Sequence, residues 1–150
     1  MSTELFEGLF QSQEKVTPSQ EFVVQSKAIL HELVHATSGV DGVLLASADG
    51  FEVVSIFQKE YDGAKLSAVG SSILALVKAL TVEAKLTGCR SVMLDAENGK
   101  IMISAVANQY QPMILIVMTR QQILLGQIMH ATTKAIATLI EMDGKYHAGK

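Results

Sequence analysis

Tryptophan is absent from the 150 residues, cysteine occurs once, proline twice, and arginine only as Arg90 and Arg120. Each scarcity removes a class of function. A lone Cys89 rules out an intrachain disulfide framework and fits a reducing compartment. No lysine or arginine block appears, and the net charge is −3. A phosphate-tracking surface needs clustered cations, so nucleic acid is not an expected partner. The opening "MSTELFEGLFQSQEK" carries Glu4 and Glu7 where a secretion signal wants positive charge, and it has no long apolar core. The longest unbroken apolar run, "MILIVM" at 113–118, is far below the roughly 20 residues that span a bilayer. A cytoplasmic protein without membrane insertion is expected. Nucleophile-elbow, phosphate-loop and dinucleotide-binding glycine patterns are all missing, and neither a cofactor nor a catalytic residue is expected. What the chain does have is apolar bulk. Hydrophobic residues make up 49% and charged residues 18%, enough for one cored domain.

One stretch resembles metal chemistry. "HELVH" at 31–35 matches the zinc-peptidase helix pattern, in which two histidines hold the metal and the glutamate activates its water. On a helical wheel, however, Phe22, Ile29 and Leu33, extended by Val23, Leu30 and Val34, mark the buried side. His31 and His35 point away from it, beside Val24 and Lys27. A zinc there needs a third ligand from an element covering the outer face, and Glu52 and Glu60 are the nearest candidate carboxylates by sequence. The reading favoured is two solvated histidines and no metal site.

The pattern along the chain gives helix, two strands, helix, three strands, helix. Residues 1–18 read as an N-terminal tail, mixing Phe6, Leu9 and Phe10 with polar residues and ending at Pro18. The domain spans 19–143, and 144–150 read as a C-terminal tail. A first helix over 19–37 starts at an N-capping Ser19 and stops before Gly39. Asp49-Gly50 and Asn98-Gly99 each sit between apolar runs and predict two hairpins with type I′ turns. "MILIVM" is apolar on both faces, so it belongs at the centre of a sheet. The fold class is α/β, more narrowly α+β, with an antiparallel five-stranded sheet and helices on both faces.

The long helix over 64–86 has two apolar stripes. Leu66, Val69, Ile73, Leu76, Val77 and Leu80 form a large aliphatic one, expected to pack on the sheet. Nearly opposite run Ala64, Ala68, Ser71, Ala75, Ala79 and Val82, closed by Leu86. Lys65, Lys78, Glu83 and Lys85 lie on the flanks between them. Small residues at that spacing let a second helix approach closely, and a two-fold axis across the stripe would pair the helix with its own copy.

"GVLLASADGFEVVS", the small-residue helix "AVGSSILALVKAL", "VMLDAENGKIMISAV", "MILIVM" and a closing helix together resemble the Roadblock/dynein light-chain family, in its bacterial branch of Ras-like GTPase regulators. The resemblance covers about residues 20–142. It implies a profilin-like sandwich that forms dimers, with the middle helices paired and the third strand, here Arg90 to Ala96 with Val92 and Leu94, continuing the sheet into its copy. It further implies a non-catalytic regulator or scaffold that binds a small Ras-like GTPase on the paired-helix face and modulates its nucleotide cycle, through flanks such as Lys65, Ser72, Lys78 and Glu83. Two other readings stay open at this stage: a structural adaptor of the same fold without a GTPase, and a zinc metallopeptidase built on residues 31–35.

Overall fold

The computed structural model of the protein describes residues 17–148; of the tail expected over 1–18, residues 1–16 lie outside them. Eight elements follow in the expected order: α1 (Gln20–Ala36), β1 (Val40–Ser47), β2 (Glu52–Phe57), α2 (Gly63–Glu83), β3 (Ser91–Ala96), β4 (Gly99–Val106), β5 (Met113–Arg120) and α3 (Leu125–His147). The strands form one antiparallel sheet in the order β2-β1-β5-β4-β3. β5, the strand carrying "MILIVM", is central, and all but its last residue are buried. A strand flanked on both faces has no polar side to present, which is why its alternation is missing.

Alternate residues of β1 and β5 feed two separate cores. Val43, Leu45, Leu115 and Val117 face α1 and α3 with Phe22, Leu30, Ile128 and Leu139. Leu44, Ala46, Ile114, Ile116 and Met118 face α2. Each large aliphatic side chain so buried stabilises the fold by about 1.5–3 kcal/mol. Among the described residues, the first core is covered by two helices and the second by one. That asymmetry positions the site described below.

Local geometry departs from the expected turns. At the β1–β2 hairpin the Gly50 amide bonds Ser47 O and the Ser47 amide bonds Phe51 O, with Gly50 at φ +99°. This is a three-residue loop in which only the glycine is left-handed. The second hairpin turns on Glu97 and Asn98, since Ala96 already pairs with Gly99. Neither Asn98 nor Gly99 has a positive φ, so the type I′ expectation fails at both hairpins. Gly99 serves closeness instead, because a Cβ there would collide with the Thr119 carbonyl oxygen of β5.

The last helix also differs. It runs from Leu125 through Asp143, where the expected domain ends, to His147. Asp143 and His147 are 1% and 3% exposed. The Asp143 carboxylate accepts the amides of Tyr110 (2.9 Å) and Gln111 (3.2 Å) and pairs with His147 Nδ1 at 3.1 Å. His147 Nε2 accepts the Ser19 amide at 3.1 Å, which puts the ring proton on Nδ1. Asp143, the last residue of the expected domain, thereby ties down the β4–β5 loop, and His147, within the stretch read as a C-terminal tail, ties down the start of α1.

Candidate interaction surface

α2 lies over the second core and meets the sheet along Gly63, Ser67, Gly70 and Leu74, its buried residues. Asp62 caps its start by accepting the Lys65 amide, and Ser67 Oγ is satisfied by Gly63 O at 2.7 Å. The glycines set the distance of approach. A Cβ at Gly70 would sit 2.5 Å from Ile116 Cδ1, and one at Gly63 would strike the Glu52 carboxylate. This corrects the expected packing stripe. Leu66, Ile73 and Val77 are half-buried, whereas Val69, Leu76 and Leu80 are 56%, 71% and 65% exposed. The wheel ranked faces by hydrophobicity, but a helix settles closest where its side chains are smallest.

The outward half of α2 is therefore apolar on both shoulders. Ala64, Ala68, Ala75, Ala79, Val82 and Leu86 are exposed on one, with Ser71 half-buried as its hydroxyl donates to Ala48 O at 2.6 Å. Val69, Leu76 and Leu80 occupy the other. Among the described helices, α2 alone is long and apolar enough to cross a membrane, yet only 17% of that stretch is buried. A water-facing helix with this composition is unfavourable unless something covers it.

The first shoulder borders a part of the sheet that no described element covers. Ser71, Leu74, Ala75, Val82 and Leu86 form one wall of a groove of about 620 Å³, and Cys89, Ala105 and Ile114 form its floor. Val92 and Ile101 extend the same apolar surface. Leu94 shares that face by strand alternation and is exposed. β3 closes the sheet at one edge, pairing only with β4. The structure thus brings together the small stripe, Val92 and Leu94 on one side of the molecule. Arg90 precedes β3, exposed, with its carbonyl bonded to the Ala105 amide. Lys65, Ser72, Lys78 and Glu83 are exposed on α2.

The histidine pair lies on the opposite side of the sheet. His31 and His35 are exposed on α1 with ring centroids 4.1 Å apart. Glu52 is committed elsewhere, accepting from Ser55 Oγ. Among the described residues no group of three or more His, Cys, Asp and Glu gathers to hold a metal.

Asp41, like Asp143, is a buried carboxylate that the sequence did not mark. Asp41 at the start of β1 pairs with Lys59 at 3.0 Å and Arg120 Nε at 3.3 Å. Burial, and then the Asp41 charge, push the Tyr61 phenol above its ordinary value. Arg120 is thereby tied to the sheet end, and nothing marks this cluster as a reactive site.

A helix-flanked antiparallel sheet with one bare apolar helix is a known domain type. The family model for the Roadblock/LC7 domain matches residues 27–119. The chain belongs to the Roadblock/LC7 family. No curated protein matches the sequence. Among solved structures, a Roadblock domain resembling this one is MglB from Myxococcus xanthus, 16% identical, with a TM-score of 0.77 over 88% of this chain and 96% of that one. A structure described as MglB with tetrameric arrangement gives 0.78 at 14% identity, covering 88% and 97%. Profilin II from Acanthamoeba castellanii gives 0.52 at 15% identity, covering 77% and 97%. These likenesses establish the fold of the domain, a profilin-like sandwich.

Proposed function

We propose that the protein is a non-catalytic, dimeric platform for a small Ras-like GTPase whose nucleotide cycle it modulates. One observation carries this reading: among the described residues, α2 exposes apolar side chains on both shoulders, beside a half-sheet and a strand edge that no described element covers. The small shoulder, with Ala64, Ala68, Ala75, Ala79 and Val82, suits a second copy of α2, since small side chains allow helix axes to come near the short end of 8–10 Å. β3 would pair with its copy through Arg90, Val92 and Leu94, which also protects an edge that otherwise invites aggregation. With that shoulder covered, Val69, Leu76 and Leu80 remain outward on both protomers and form the apolar centre of the GTPase platform. Lys65, Ser72, Lys78 and Glu83 then belong to its rim, where charges guide encounter more than they hold it.

Ala75→Glu tests the dimer without touching the protomer core, because Ala75 is exposed in the single chain. Light scattering after size exclusion is expected to show a dimer for the wild type and a folded monomer for the variant, since an unpaired carboxylate in the interface costs several kcal/mol. A variant that stays dimeric removes this interface. Leu76→Asp with Leu80→Asp is expected to keep the dimer and lose capture of a nucleotide-loaded Ras-like GTPase. Wild-type dimers that bind no such GTPase in either nucleotide state would instead be structural adaptors of the same fold.

A further inference from the structure

The chain enters the described fold at Thr17–Pro18, and Pro18 lines a cleft of about 190 Å³ with Asp49, Tyr110 and Met113. Ala48, Pro112 and Met113 line this cleft and also the 620 Å³ groove between α2 and β4. The two hollows therefore adjoin along these residues, as a trough in two parts whose first part lies beside Pro18. We propose that residues 1–16 dock into this trough within their own protomer and contend with the second copy for its walls.

Three features of the chain fit that occupant. The segment carries Leu5, Phe6, Leu9 and Phe10, two of the five phenylalanines of the sequence, and four such side chains are costly to leave in water. Sixteen residues span about 24 Å even at the short helical rise, so the segment reaches well beyond the cleft. Its three glutamates, against one lysine, complement Lys78 in the groove, while the cleft at the entry end carries Asp49. Ser71, Ala75 and Val82 belong both to the groove wall and to the small shoulder of α2. A docked segment would thus cover part of the surface that dimerisation needs. It becomes an intrinsic brake on self-association, a consequence that rests on the dimer reading, whereas the docking itself does not.

Cys89 lies in the floor of the groove and is the single thiol of the chain, which allows a test on the full-length protein. A nitroxide attached to Cys89 is expected to broaden the amide resonances of residues 5–10 in its own protomer. Sharp resonances would overturn the proposal. So would broadening that appears only when ¹⁵N-labelled chains without nitroxide are mixed with spin-labelled unlabelled chains, since that places the segment on the neighbouring molecule. The brake is read by sedimentation of full-length Phe6→Ser/Phe10→Ser. Its dimer dissociation constant is expected to fall several-fold below that of the wild type, and an equal or larger value overturns competition. If neither protein associates at any concentration, the dimer reading fails and competition with it, while the relaxation experiment still decides the docking.

Discussion

Lys85 is the one described residue outside glycine with a positive φ, at 60°. The amides of Leu86 and Lys85 bond the carbonyls of Thr81 and Val82, closing α2 with the left-handed cap that glycine usually supplies. Gly88, also left-handed, stands three residues later. A side chain in this conformation costs about 1 kcal/mol. Lys85→Gly should raise unfolding stability by about 0.5–1 kcal/mol, after allowing for the added freedom of the unfolded chain. Urea denaturation measures this, and a drop in midpoint would show that the lysine contributes more than its backbone strain takes away. Asp143 is the counterpart at the other end of the molecule. Asp143→Ala strips two buried amides and His147 of their acceptor, and is expected to cost about 3 kcal/mol. A loss below the noise of the same denaturation curve would mean that water replaces the carboxylate. Nothing in "EMDGKYHAGK" announces this clasp, because its partners lie 32, 33 and 128 residues away.

At the scale of elements, the informative failure is the rotation of α2. Periodicity correctly gave a long helix with two apolar stripes, but it assigned the larger one to the sheet. Contact with the sheet runs instead through Gly63, Ser67, Gly70 and Leu74. Close approach raises packing density along the whole seam, and a bulky ridge would hold the helix off. Gly70→Val is therefore expected to cost about 1–3 kcal/mol by pushing into Ile116. A thermal midpoint equal to wild type would show that Ile116 can swing aside. The same rotation moves Val69, Leu76 and Leu80 from the predicted core to the outer surface. Two apolar stripes on one helix signalled that two surfaces needed covering; the mistake lay in which lay where. α1, by contrast, kept its predicted sides. Phe22, Leu30, Leu33 and Val34 are buried while His31 and His35 face out, because a single hydrophobic stripe leaves no choice of rotation.

For the whole molecule, the asymmetry between the two sheet faces matters most. One face is closed by α1 and α3; the other carries α2 alone beside an open groove and the free edge of β3. If a second copy closes that side, folding and association are linked, and stability depends on protomer concentration. The thermal midpoint of the wild type should rise steadily with dilution reversed over a hundred-fold concentration range. That of Ala75→Glu should stay fixed, as a monomer requires. Calorimetry showing a concentration-independent midpoint for the wild type would detach the apolar surface of α2 from self-association.

Composition, periodicity and turn residues determined the order of elements, the antiparallel sheet with β5 at its centre and the outward histidines of α1, and the likeness of particular stretches to known members carried the family resemblance. These are local or repeating properties, set by which side chains alternate and where the chain can turn. Only tertiary structure decided the rotation of α2, the true geometry of both hairpins, and the clasp of Asp143 and His147. Each of these depends on what stands opposite in space: Ile116 beneath Gly70, Thr119 beside Gly99, the Tyr110 and Gln111 amides in front of Asp143. Distance across the fold is not written in neighbouring letters, so the physics that fixes these features acts only once the chain has closed on itself.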